Sequence, residues 1–250
     1  MTRIILSGCC GHMGKVITDL VNGQEDCAIV AGVDVREESL GYPVYSSFSL
    51  VKEEADVIID FSHPNCLDGL LAFAKDKKIP AVVCTTGLSC CQVDQIRDAA
   101  KTVPMFFSGN MSLGINLLAA LVKRAAQVLG DKADIEIIEA HHNQKIDAPS
   151  GTANMLLDAA IEGLDKEMVP EYDRHSRRQK RPQNEIGMHS IRGGTIVGEH
   201  QVIFAGKDEI VTLSHSARSK EVFAVGAVKA ACYLVGKPCE MYDMTDLVKE

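Results

Sequence analysis

Between Glu139 and Asn154 the chain reads E-A-H-H-N-Q-K-I-D-A-P-S-G-T-A-N, which puts two imidazoles, an amine and a helix start into sixteen positions. His141 and His142 bring imidazoles, the side-chain type suited to work as a general acid or base. Lys145 adds a compact positive charge that can also give up a proton. Pro149 keeps the residue before it extended, and Ser150 is a good N-cap. Gly151 and Thr152 then fall in the first helical turn, where backbone N–H groups have no partner inside the helix. Such a tip binds carboxylate or phosphate. The segment can therefore grip a small anion and move protons on it. Each part also has a plainer reading: the histidine pair as surface polarity, Ser-Gly-Thr as a cap and nothing more. A metal ion is a third reading, but adjacent residues of a strand point to opposite faces, so one ion does not easily take both imidazoles. The expectation is no metal.

Positioning these groups takes a strand before them, over the apolar residues 135–140, and a helix after them, over 153–163. The start of the chain has the same logic. Residues 3–6 form a short apolar strand, followed by G-C-C-G-H-M-G from Gly8 to Gly14 and a helical pattern through residue 21. Strand, glycine turn and helix is the context of a dinucleotide fingerprint, here in a G-x-x-G-x-x-G variant. The next strand, 28–33, ends at Asp34, twenty residues beyond Gly14, where an acid binds ribose hydroxyls. The alternative is a glycine turn needed only for close helix packing. Strands are expected again at 57–61, 81–83 and 105–107, with helices at 64–77, 89–100 and 112–129. The strand ends carry small or polar residues, D-F-S-H-P, C-T-T-G and S-G-N-M. Alternating strands and helices predict an α/β fold with a doubly wound parallel sheet, whose ligands bind at the carboxyl ends of the strands. After residue 163 the order changes. Strands at 186–192, 198–204 and 210–214 follow without helices, which predicts hairpins in a partly antiparallel sheet. A last apolar helix, 222–235, returns to the first part.

Composition sets the outer bounds. The 250 residues are 46% hydrophobic and 24% charged, ordinary for a globular chain with a sizeable core. A net charge of −8 argues against a nucleic-acid partner. No stretch is long and apolar enough to span a bilayer, and the N-terminus lacks the apolar length of a signal peptide, so a cytoplasmic location and no membrane partner are expected. The nine cysteines are odd in number and contain no C-x-x-C. They read as small reduced core or loop residues, not as a zinc set or a secreted framework. R-H-S-R-R-Q-K-R, from Arg174 to Arg181, reads as a solvated flexible loop in an acidic protein, with a mild attraction for a dianionic substrate.

These motifs in order, the histidine-lysine segment with G-C-C-G-H-M-G, C-T-T-G, S-G-N-M-S-L-G-I-N and I-V-G-E-H, resemble those of the dihydrodipicolinate reductases. The resemblance runs over nearly the whole chain. It implies a Rossmann-type domain made of residues 1–112 and 221–250. It also implies a central α+β domain with a mixed sheet, 113–220, for substrate binding and oligomerisation, in a homotetramer. It implies reduction of 4-hydroxy-tetrahydrodipicolinate, or its dehydrated form, to tetrahydrodipicolinate by NADH or NADPH, a step of lysine and diaminopimelate biosynthesis. His141 falls on the family's proton donor/acceptor and Lys145 on its second proton donor. His142, Ser150, Gly151 and Thr152 fall on substrate contacts. Gly8, Cys9, Cys10, Gly11, His12, Met13, Asp34, Cys84, Thr85, Thr86, Ser108, Gly109, Asn110 and Met111 fall on cofactor contacts.

The chain departs from the family at two places. His12 stands where many relatives have an arginine in the glycine loop, and Val35 where many have one after the ribose acid. Those arginines would bind the extra phosphate of NADPH. Arg36 stands one residue further on and partly compensates, while Asp34 favours free ribose hydroxyls. NADH is expected to serve at least as well as NADPH. Two other readings differ in class: another nicotinamide-dependent reductase of a small dicarboxylate, and a dinucleotide-sensing protein without turnover. The first leaves the histidine-lysine segment unexplained, and the second requires a broken set of proton donors.

Overall fold

A computed structural model of the chain describes residues 1–36 and 38–249. The chain divides into two compact units, one of Met1–Leu113 with Lys220–Glu250 and one of Gly114–Ser219.

The first unit opens with β1 (Thr2–Ser7), α1 (His12–Asn22), β2 (Cys27–Val33), β3 (Val44–Tyr45) and β4 (Val57–Asp60). It continues with α2 (Leu67–Lys77), β5 (Ala81–Val83), α3 (Cys90–Ala99) and β6 (Met105–Phe107). Then α4 (Leu113–Leu129) leads into the second unit, which contains β7 (Ala133–His141), α5 (Gly151–Glu162), β8 (Val169–Glu171), β9 (Glu185–Arg192), β10 (Gly198–Gly206) and β11 (Ile210–Ala217). The chain re-enters the first unit with α6 (Glu221–Leu234), β12 (Met241–Tyr242) and α7 (Met244–Lys249).

Seven strands of the first unit form one sheet in the order β12-β6-β5-β4-β1-β2-β3, and every pairing in it is parallel. Its central strands are apolar on both sides because both faces are covered. Alternate residues serve different cores. Ile4, Leu6, Val57, Ile59 and Val82 pack with the small residues of α6. Ile5, Ile58, Ala81 and Val83 pack with Leu70, Leu71 and Ile96 of α2 and α3. Each fully buried isoleucine or leucine contributes roughly 2 kcal/mol of transfer free energy. α6 is pressed so close to the chain that a Cβ on Gly226 would run into the carbonyl of Met111.

The second unit has a five-stranded mixed sheet in the order β11-β10-β7-β9-β8. β10 is antiparallel to both β11 and β7, whereas β9 is parallel to both β7 and β8. α4 and α5 cover one face through Ile115, Leu118, Val122, Leu156 and Leu157, which meet Ile135, Ile137, Val202 and Phe204.

The expected α/β architecture, a Rossmann-type parallel sheet and a second mixed sheet, is the one found. Three details differ from the sequence reading. β9 and β10 are not a hairpin pair: β7 lies between them, and of the three strands expected to form hairpins only β10 and β11 pair with each other. The helix expected from residue 64 begins as a 3-10 turn, Pro64–Cys66, before α2. The basic stretch is not simply solvated. Arg174 pairs with the buried Glu185, Arg177 with the buried Glu171 at 2.7 Å, and Arg181 with Glu136 and Glu185. Charge counting could not show this, because the carboxylates lie on neighbouring strands. No helix among the described residues is long and apolar enough to cross a membrane.

Candidate active site

In the first unit the order of strands reverses between β1 and β4, the crevice where open α/β sheets take ligands. The glycine turn lies there. Gly8 has φ +78, and a Cβ on it would press on the carbonyl of Phe61 at the end of β4. A Cβ on Gly14 would meet the carbonyls of Gly8 and Cys9. Both positions thus require glycine to keep the turn tight over the start of α1. Asp34, past the end of β2, accepts from Cys10 N–H at 3.0 Å and from Arg36 N–H at 3.0 Å. A cavity of about 390 Å³ opens between Gly8, Gly11, Asp34 and Ser62.

A second cavity, about 550 Å³, lies over the other strand ends and is lined by Met13, Cys84, Thr85, Thr86, Ser108, Gly109, Asn110 and Met111. Eight of the fourteen positions matched to cofactor contacts thus line one cavity, and Gly8, Gly11 and Asp34 line the other. His12 begins α1 with its side chain exposed. Cys9 and Cys10 are buried in the core of the first unit, and neither lines either cavity. Burial and then the neighbouring Cys10 push the Cys9 thiol up to about 12, so it stays protonated. Every cysteine is free.

Asp60, the first residue of D-F-S-H-P, was given no role of its own in the sequence. It is buried at the end of β4 and accepts from Ser62 Oγ and Thr85 Oγ1, each at 2.6 Å. Burial raises its pKa against those hydrogen bonds. It fixes two hydroxyls that belong to the cavity rims. The signal was an acid in the last position of an apolar strand.

In the second unit β7 ends at His141, and its partner is two residues back. Glu139 is 1% exposed and gathers donors from four directions. Its Oε2 lies 2.5 Å from His141 Nδ1. Arg192 of β9 binds both oxygens, at 2.8 and 2.7 Å. Ser150 N–H donates to Oε1 at 3.2 Å. Ser190 adds a side-chain bond. Burial alone would raise the Glu139 pKa, but the bonds from Arg192, Ser190 and His141 outweigh it and hold it at about 2. An ionised Glu139 accepts from the proton-bearing Nδ1 of His141 and leaves Nε2 as the nitrogen on the far side of the ring. Nε2 faces Gly198 of β10, where any Cβ would stand 3.2 Å away.

The segment after His141 is tied back to the same hub. Arg192 donates to the carbonyl of Asp147 at 2.6 Å. Lys145 Nζ lies 2.8 Å from Asp147, which lowers the pKa of that carboxyl. Ser150 caps α5, its Oγ accepting from Ala153 N–H at 3.1 Å. Gly151 is exposed with open space where a side chain would stand. His142 is half-buried, and Thr152 sits beside Gly151 in the first turn. His200, on β10, closes the I-V-G-E-H motif but was given no role from the sequence: its Nε2 is 3.2 Å from Ser150 Oγ.

A parallel doubly wound sheet with this glycine turn, an acid past the end of β2 and a strand-end cavity is the frame of a nicotinamide-dependent oxidoreductase. Residues 2–111 match the family model of the dihydrodipicolinate reductase N-terminus, and residues 114–248 that of its C-terminus. The chain belongs to the dihydrodipicolinate reductase family. It is 51% identical over 250 residues to the 4-hydroxy-tetrahydrodipicolinate reductase of Caldanaerobacter subterraneus, covering 100% of this chain and 99% of that one. Identity to the enzyme of the same name from Clostridium novyi is 50%, with the same coverage. The dipicolinate-bound dihydrodipicolinate reductase of Paenisporosarcina shares the fold at a TM-score of 0.81 and 24% identity, covering 97% of each chain.

Proposed function

We propose that His141 and Lys145 supply the proton in the reaction of this family, NAD(P)H-dependent reduction of 4-hydroxy-tetrahydrodipicolinate to tetrahydrodipicolinate in lysine and diaminopimelate synthesis. The arrangement around Glu139 carries this reading: one buried carboxylate orients His141, anchors the segment of Lys145 through Arg192, and holds the cap of α5. The residues around the glycine turn fit a dinucleotide, since its two tight glycines leave backbone where a pyrophosphate must approach. The reduced nicotinamide supplies the hydride.

The chain's own groups do the rest. Gly151 and Thr152, in the first turn of α5, offer N–H groups to a substrate carboxylate, and His142 and Ser150 complete the grip. Lys145 neutralises negative charge nearby once it exchanges Asp147 for substrate. Loss of the 4-hydroxyl as water leaves an unsaturated imine; adding a hydride to it leaves an enamine whose carbon must take a proton, which Lys145 Nζ gives, or His141 Nε2 once it carries a proton beside the ionised Glu139. A positioned acid of this kind is typically worth on the order of 10²–10⁴ in rate. Gly8 to Met13, Asp34, Cys84 to Thr86 and Ser108 to Met111 hold the cofactor, as residues 1–112 and 221–250 form its domain and 113–220 that of the substrate. The enzyme acts in the cytoplasm as a homotetramer.

The test generates substrate in situ from aspartate semialdehyde, pyruvate and the preceding aldolase, and follows NADH absorbance. Consumption well above a blank lacking this protein is expected, with inhibition by pyridine-2,6-dicarboxylate. Binding of NADH without consumption would instead favour the sensing protein.

A further inference from the structure

A line of polar side chains crosses the second sheet, and proton delivery does not account for all of it. Ser190 on β9 is paired with Glu139 on β7, Glu139 with His200 on β10, and His200 with His215 on β11. Placing imidazoles on an inward sheet face costs free energy unless they are bonded. His200 is only 5% exposed, and one of its nitrogens is bonded: Nε2 meets Ser150 Oγ at 3.2 Å. Nδ1 has no partner among the described residues, and neither has Nδ1 of His215.

Ser150 Oγ already accepts from Ala153 N–H. Its hydroxyl proton can be given to a neutral imidazole nitrogen, and its second lone pair can accept from one, so His200 Nε2 bonds the capping hydroxyl in either tautomer. Burial keeps His200 neutral, reinforced by His141, His215 and Lys145 and opposed by Glu139. The same ring stands edge-on to His141, with centroids 5.1 Å apart and planes at 74°. His200 therefore touches both the helix cap and the proton donor, without lying in the segment that contains them.

We propose that His200 is a positioning residue of the reductase: it holds the Ser150 hydroxyl in its capping orientation and the ring of His141 in its plane, so that the substrate anion meets a fixed α5 tip. This rests on the reading of α5 and His141 given above. A loosened cap weakens the grip on substrate, while the cofactor cradle in the first unit is untouched.

The experiment compares His200→Leu, which fills the space but accepts no hydrogen bond, with His200→Gln, whose amide oxygen accepts one. The leucine variant is expected to raise KM for substrate, and Ki for pyridine-2,6-dicarboxylate, about tenfold, the worth of roughly one hydrogen bond. Kd for NADH stays at the wild-type value, and glutamine restores much of the lost affinity. Partial misfolding lowers apparent kcat without moving KM, so the split separates positioning from a structural role. Wild-type KM in the leucine variant, or equal KM values in the two variants, would overturn the inference. Lys145→Ala is assayed alongside. If it turns over normally, the reading of the site fails; if it is inactive while His200→Leu keeps wild-type KM, only the role of His200 fails.

Discussion

Glu139 is buried, ionised and bonded to Arg192, Ser190, Ser150 and His141, so its replacement touches stability and chemistry at once. Glu139→Gln would strip Arg192 of its bidentate carboxylate and leave only the charge of Asp147 near it in a half-buried place, a loss on the order of 3–5 kcal/mol. Urea unfolding is expected to show that loss, and kcat of the folded fraction to fall about 10²-fold as His141 loses its orientation. The pH dependence has a definite sign. His200 is held at about 4, below the 6.5 of a free imidazole, so between these values the unfolded chain takes a proton that the folded one refuses. Stability therefore falls as pH drops from 6.5 to 4. Glu139, held at about 2 against 4.5, adds a further loss as pH falls from 4.5 toward 2. Urea midpoints measured from pH 7 to 4 should decline, and His200→Leu should flatten the decline. A flat wild-type profile would contradict the assignment. The grouping of His141, Lys145 and Ser150 was legible in the sequence because they lie within one short segment. Arg192 and His200 were not, because they reach that segment only through strand pairing some 50 positions away.

At the level of elements, the strands that proved easiest to read were the buried central ones, β1, β4 and β5, whose apolar runs feed cores on both faces. Those missed were β3, β8 and β12, all at sheet edges and two or three residues long. Such pieces carry no periodicity, and their pairing comes from the neighbouring strand. β8 even contains Pro170, which an edge strand tolerates. Two helix starts give predictions. Gly8→Ala places a side chain against the Phe61 carbonyl at a positive φ, so NADH affinity should drop at least tenfold and Tm should fall. Isothermal titration with NADH reads the first. Ser150→Ala removes the α5 cap and should cost about 1 kcal/mol by urea unfolding, while leaving NADH affinity intact.

Over the whole molecule, the sequence order foretold the α/β class, because alternating strands and helices leave few topologies. It did not foretell the position of β7 between β9 and β10, since nothing local marks which strand a parallel partner joins. Cofactor choice belongs to this scale too. Arg36 is more than half exposed and leans on Asp34 at 3.5 Å, while Val35 carries no charge to meet a 2′-phosphate. We propose that kcat/KM for NADH equals or exceeds that for NADPH; a large NADPH advantage would contradict this. The most direct test of proton delivery is the turnover of His141→Ala and Lys145→Ala with NADH and substrate formed in situ, beside NADH affinity measured by fluorescence. Both variants should lose about two to four powers of ten in kcat with NADH Kd unchanged, whereas wild-type turnover in both would contradict the assignment.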